Sequence, residues 1–205
     1  MKKWLTATNM LILFMTLLYF FVIIFSDVFT YAENFGLCGI EVCDNGFAFY
    51  RNITSLFMHW FILHLIANMV GLYFSGNLLE KKTNKIILIC SFLIIGILGS
   101  IITNFIYPLI DGAYNKDTFA QVGSSIGVFG IIGMCLGYVL IHKGSMKDIK
   151  KSHKIILTIY GIFFTYFMNG DNYWTLFAHN TGFVLGFILY IILYYLYLKK
   201  KEVEN

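Results

Sequence analysis

The stretch Gly123-Ser124-Ser125-Ile126-Gly127-Val128-Phe129-Gly130-Ile131-Ile132-Gly133 sets two hydroxyls at the head of an apolar run and threads glycine through the run itself. Gly123, Gly127, Gly130, Gly133 and Gly137 recur every three or four residues. On a helix they form a stripe without side chains, against which a neighbouring helix can pack closely. A polar group at membrane depth is costly, so the serines mark a functional site. A second run supplies a partner: it opens with Ala178-His179-Asn180-Thr181-Gly182, and Gly186 follows four residues after Gly182. Serine and histidine on separate membrane helices are the components of a nucleophile–base pair.

The rest of the chain agrees with a membrane setting. Of 205 residues, 59% are hydrophobic and 13% charged, with a single proline. That is too apolar for a soluble domain of this size. Crossing ~30 Å of hydrocarbon takes ~20 mostly apolar residues. Six stretches qualify, near 4–25, 56–79, 86–107, 122–141, 155–168 and 174–198. The expectation is an all-α membrane protein, one transmembrane domain over residues 1–205, with a long external loop at 27–54. The first span follows Lys2-Lys3 but is long and lacks a nearby small-x-small cleavage pattern, which predicts a retained helix rather than a signal peptide.

Charge sets the orientation. Lys2, Lys3, Lys81, Lys82, Lys85, Lys143, Lys147, Lys150, Lys151, Lys154, Lys199, Lys200 and Lys201 fall on one side of a six-span arrangement, Arg51 and Lys116 on the other. The positive-inside rule then makes both termini cytoplasmic in a multi-pass protein of the cell membrane. The +4 net charge reports this topology and contact with the lipid bilayer, not nucleic acid. The usage of Ile, Lys, Asn, Phe and Tyr suggests an AT-rich bacterial genome. Cys38 and Cys43 share the external loop, where a disulfide and two free thiols are both allowed. Cys90 and Cys135 lie in spans and read as packing residues. His142 and His153 read as solvated.

The second span holds His59, His64 and Asn68. His64 and Asn68 are four apart and share a helix face, while His59 is out of phase. Depth can be counted at about 1.5 Å per residue from each group to its lysine boundary. Asn68 to Lys81 gives ~20 Å, His64 ~26 Å, Ser125 to Lys143 ~27 Å and His179 to Lys199 ~30 Å. Three separate helices thus place these groups in one layer. Histidine can take the serine proton. A carbonyl under attack builds an oxyanion, which the backbone N–H groups at the start of a helix, with His64 and Asn68, can receive. Every Asp and Glu lies in a loop or at a span end, so the arrangement is a dyad. There is no His-Glu-x-x-His and no in-phase histidine pair, so neither a metal nor another cofactor is expected.

With these motifs in order, the chain resembles the rhomboid family of intramembrane serine proteases. The resemblance covers about residues 1–200. It rests on His59-x4-His64-x3-Asn68 with Glu80 further on, Gly123-x-Ser125, and Ala178-His179-x2-Gly182-x3-Gly186. It implies a six-transmembrane-helix rhomboid-like bundle with Ser125 as nucleophile and His179 as base. It also implies an oxyanion hole from His64, Asn68 and the Ser125 backbone. Arg51 matches a Trp-Arg pair of the family's first external loop, here Tyr50-Arg51, and Phe129 matches an aromatic beside the histidine. His59 reads as structural, bonding loop backbone, and Glu80 as capping loop groups beside its lysines. The usual Gly-x-Ser-Gly is Gly-Ser-Ser-Ile here, so Ile126 adds bulk that bears on substrate fit or rate.

The implied activity is hydrolysis of peptide bonds in or near transmembrane segments of membrane-protein substrates. An inactive rhomboid-like protein that binds or escorts membrane proteins is the alternative, though it would normally lack the serine or the histidine. A transporter would show paired halves with broken helices, and no such repeat occurs. Substrate identity and oligomeric state are not encoded in any motif.

Overall fold

A computed structural model describes residues 6–36, 49–111, 122–142 and 173–200. Helix α1 (Ala7–Phe25) starts at Thr6, whose hydroxyl caps Asn9 N–H at 3.1 Å. Two short helices follow, α2 (Val28–Phe35) and α3 (Arg51–Thr54). A single 3₁₀ turn, Ser55–Phe57, leads to α4 (Ile62–Lys82). The Asn84 side chain then caps Ile86 and Ile87 N–H, both at 2.9 Å, and starts α5 (Lys85–Asp111). Helix α6 is Ser125–Ile141 and α7 is Tyr173–Leu193, which runs on through a wider π-type turn at Tyr194–Leu198.

Four of these segments, Ala7–Phe25, Ile62–Lys82, Lys85–Tyr107 and Tyr173–Leu198, are long and apolar enough to cross a bilayer. Ser125–Ile141 is a shorter apolar helix. The expected span at 155–168 lies outside the described residues, as do Cys38, Cys43 and His153. Leu13, Leu17 and Ile24 of α1, Ile66 and Val70 of α4, Leu98 of α5 and Ile188 of α7 all face outward. In water such a surface would aggregate; in lipid it is the solvated face. The molecule is an integral membrane protein.

Helix α6 is the centre of the bundle, with α4, α5 and α7 packed around it. Val128, Ile131 and Met134 are wholly buried. The tightest partner is α7, and the sequence explains why. A Cβ on Gly186 would lie 1.9 Å from Gly130 O, one on Gly133 2.1 Å from Phe183 O, and one on Gly182 2.3 Å from Ile126 O. The two backbones touch directly, which the glycine stripe alone permits. The pairs 126–182, 130–186 and 137–190 ascend together, so α6 and α7 run parallel and begin at the same end of the bundle.

Three expectations change. The stretch 56–79 is not one helix: the chain leaves the 3₁₀ turn at Met58 and re-enters a helix at Ile62. Leu56 and Met58 are apolar because they pack on protein. Leu56 lies over Gly96 of α5, and Met58 joins Ala32 and Val122 in a separate small cluster. The loop at 27–54 contains α2 and α3, and α3 ties down the end of α2. Tyr50 OH donates to Asn34 O at 3.0 Å, Thr54 Oγ1 to Phe35 O at 2.5 Å and Arg51 Nη1 to Gly36 O at 3.4 Å. These are the carbonyls that a helix end leaves without intrahelical partners. Finally, Cys90 is exposed on the bundle's outer face rather than packed, while Cys135 is buried with Sγ 3.4 Å from Ser75 O.

Candidate active site

Ser125 is the first residue of α6 and is half-buried; Ser124 before it is fully buried. Gly123 makes the turn into the helix with φ at +142°, a backbone conformation open to glycine. Its N–H donates to Ser55 O at 2.9 Å, which docks the start of α6 onto the α3–α4 connection. The His64 ring covers it, with Cε1 and Nε2 2.7 and 2.9 Å from where a Gly123 Cβ would be. Ser125 Oγ lies 3.9 Å from that same point. His64, Gly123 and Ser125 therefore line one small space.

Asn68 sits one turn along α4 from His64, 2% exposed. Its Nδ2 donates to His64 O at 3.0 Å, and its Oδ1 has no hydrogen-bond partner. One amide hydrogen is held by the helix and the second remains for another acceptor.

His179 lies on α7, 6% exposed, one turn before Gly182. Its ring stacks on Phe129 with centroids 4.3 Å apart and planes at 15°. Phe129 is four residues after Ser125, on the same face of α6. The Gly182–Ile126 contact and the Phe129 stack thus set His179 beside the opening turn of α6.

His59, the first histidine of the His59-x4-His64 pattern, behaves differently from the sequence expectation. His59 is not out of phase on α4, because it precedes that helix. Its Nε2 lies 3.1 Å from Ser124 Oγ, and its ring meets the His64 ring edge-on at 5.2 Å. Its partner is a serine side chain, not loop backbone. The sequence marked both serines but not the pairing of Ser124 with His59; the signal was a second serine and a second histidine in the same two motifs.

Ile126, in place of the usual glycine, has a place to go. Its Cγ2 would be 2.4 Å from a Cβ on Gly99 and 3.1 Å from one on Gly182, so two glycines make its seat. Glu80 is spent on α1 rather than on a loop: its oxygens accept from Ala7 N, Thr8 N and Thr8 Oγ1 at 2.9, 3.0 and 2.8 Å. A carboxylate there meets the open N–H groups and positive end of α1. His142 is not simply solvated: half-buried, it stacks on Tyr138 and places Nδ1 3.0 Å from Tyr138 O.

The fold and site together define a helical membrane protein that holds a serine and a histidine on adjacent, glycine-packed helices inside the apolar layer. A family model described as the Rhomboid domain matches residues 46–196, and the chain belongs to the rhomboid family. Among curated relatives it is 29% identical over 163 residues to Rhomboid-like protease 3 of Toxoplasma gondii, covering 78% of this chain and 56% of that protein. It is 26% identical over 144 residues to RHOMBOID-like protein 7 of Arabidopsis thaliana, covering 69% and 43%. It is 24% identical over 175 residues to RHOMBOID-like protein 1 of the same plant, covering 83% and 42%. The chain spans about half the length of these relatives.

Proposed function

We propose that this protein is an intramembrane serine protease that hydrolyses peptide bonds in or near transmembrane segments of other membrane proteins. The observation that carries the reading is the space lined by half-buried Ser125, the His64 ring and Gly123, with the His179 ring stacked on Phe129 one turn along α6 from Ser125. Ser125 Oγ attacks the substrate carbonyl as its proton passes to His179. The oxyanion is received by the backbone N–H at the start of α6, by His64 and by the second Asn68 amide hydrogen. His179 returns the proton to the leaving amine, and water repeats the sequence on the acyl-enzyme. The same groups in an apolar, partly closed site act at low dielectric, where each hydrogen bond to developing charge counts for more than in water.

Ser124 is the competing nucleophile on distance alone, since its Oγ lies 3.1 Å from His59 Nε2. Its complete burial argues against it: no substrate carbonyl can reach an oxygen with no exposed surface. The reading also places the protein in the cell membrane with both termini cytoplasmic, from the lysine asymmetry. Substrates would then be cut toward the outer leaflet.

The test is cleavage of a panel of single-span proteins in lipid vesicles, wild type against Ser125→Ala, with labelling by a fluorophosphonate probe. Cleavage and labelling that both vanish in Ser125→Ala establish the activity. A folded wild type that does neither is a binding or escort protein instead.

A further inference from the structure

Ser124 occupies the N-cap position of α6. Serine there ordinarily takes extended backbone and accepts the N–H of the second or third helical residue. Ser124 does neither: φ and ψ are −72° and 0°, and its side chain makes no cap bond. The hydroxyl points instead at His59 Nε2, 3.1 Å away, with the two residues 0% and 3% exposed. His59 can reach it because the chain runs non-helically between the 3₁₀ turn and Ile62. The other ring nitrogen of His59, Nδ1, is buried without a hydrogen-bond partner, so Ser124 holds the polar edge of the ring.

A serine hydroxyl that capped α6 would accept from Ile126 or Gly127 N–H, directly beside the Ser125 N–H that an oxyanion needs. It would also swing Ser124 out to extended backbone and turn the Gly123–Ser125 segment under the His64 ring. We propose that His59 is a positioning residue that diverts the Ser124 hydroxyl from capping its own helix and so holds the Gly123–Ser125 backbone, with the Ser125 N–H, where the reaction needs it. The proposal rests on Ser125 being the nucleophile.

It makes a suppressor prediction. In vesicles, with a single-span substrate, His59→Leu lowers kcat about 10²-fold, the loss typical of one oxyanion donor, and leaves KM within about threefold. Ser124→Ala, which has no hydroxyl to cap with, stays within about threefold of wild type. The double variant His59→Leu/Ser124→Ala regains at least about tenfold over His59→Leu. A histidine that only supports the fold gives no such recovery. A double variant no faster than His59→Leu, or a His59→Leu protein as fast as wild type, overturns the proposal. Should His59→Leu fail to fold, Ser124→Asp carries the test, since its carboxylate caps α6 with His59 in place. Its kcat falls at least about 10²-fold with Tm unchanged or raised. Equal activity of Ser124→Asp and wild type, or equal loss in Ser124→Asp and Ser124→Ala, overturns it. Ser125-dependent wild-type cleavage without recovery refutes this inference alone; wild type without Ser125-dependent cleavage refutes the functional reading and this with it.

Discussion

Gly186→Ala adds one methyl group where two helix backbones meet. The new Cβ would lie 1.9 Å from Gly130 O and 2.6 Å from its carbonyl carbon, whereas ordinary contact begins near 3.4 Å, so about 1.5 Å of separation is required. Neither neighbour is a side chain that can turn aside. The helices must part, and His179, two turns up α7, moves with them. Overpacking of this kind typically costs about 1–3 kcal/mol, and a misplacement of ~1 Å can cost on the order of 10²-fold in rate. The expected outcome is a Tm lowered by several degrees and a kcat reduced by about two orders of magnitude. The comparison that isolates the cause is Gly137→Ala, whose Cβ would first meet Tyr190 side-chain atoms at 3.0 Å and should cost much less. Thermal unfolding in bicelles and cleavage kinetics in vesicles read both quantities. A Gly186→Ala protein as stable and active as wild type, or a Gly137→Ala protein that is the worse of the two, would refute the backbone-contact reasoning.

Other substitutions test the remaining parts. Ser125→Ala and His179→Ala should each abolish cleavage in a folded protein, a base alone contributing about 10²–10⁴-fold; retained turnover in either removes that residue from the dyad. Gly123→Ala should lose activity, because alanine is strained at φ +142° and its methyl would strike the His64 ring at 2.7 Å; unchanged kinetics would mean that neither constraint matters. Glu80→Ala should cost about 1.5–3 kcal/mol of stability while sparing kcat, since it removes the acceptor of three hydrogen bonds at α1, far from Ser125; a kinetic defect at full stability would contradict that role.

Ser125, His179, His64 and Asn68 stood out in the sequence because a polar residue inside an apolar run is expensive and therefore conspicuous. The glycine spacing on α6 and α7 was equally plain, since helical period and absence of side chain together define a packing face. What escaped had a cause in three dimensions. Leu56, Phe57, Met58, Trp60 and Phe61 score as membrane span whether they face lipid or the interior of the bundle, so the break before Ile62 was invisible to hydropathy. Glu80 finds its donors 72 and 73 residues away on α1, a pairing that no local pattern contains. His59 read as out of phase only because it was placed on the wrong element. Ile126 looked like bulk beside a nucleophile until Gly99 and Gly182 supplied the matching absence.

The parallel pairing of α6 and α7 also bears on how the protein is made. Ser125 and His179 are 54 residues apart. At about 5–20 residues per second of synthesis, roughly 3–11 s separate the two on the ribosome. Through that interval α6 can sit in the bilayer with its glycine face bare and no His179 ring stacked on Phe129. On the proposed function the dyad is incomplete throughout insertion, and a chain stalled or cut before α7 stays so. Docking of α7 on α6 then doubles as activation under that proposal.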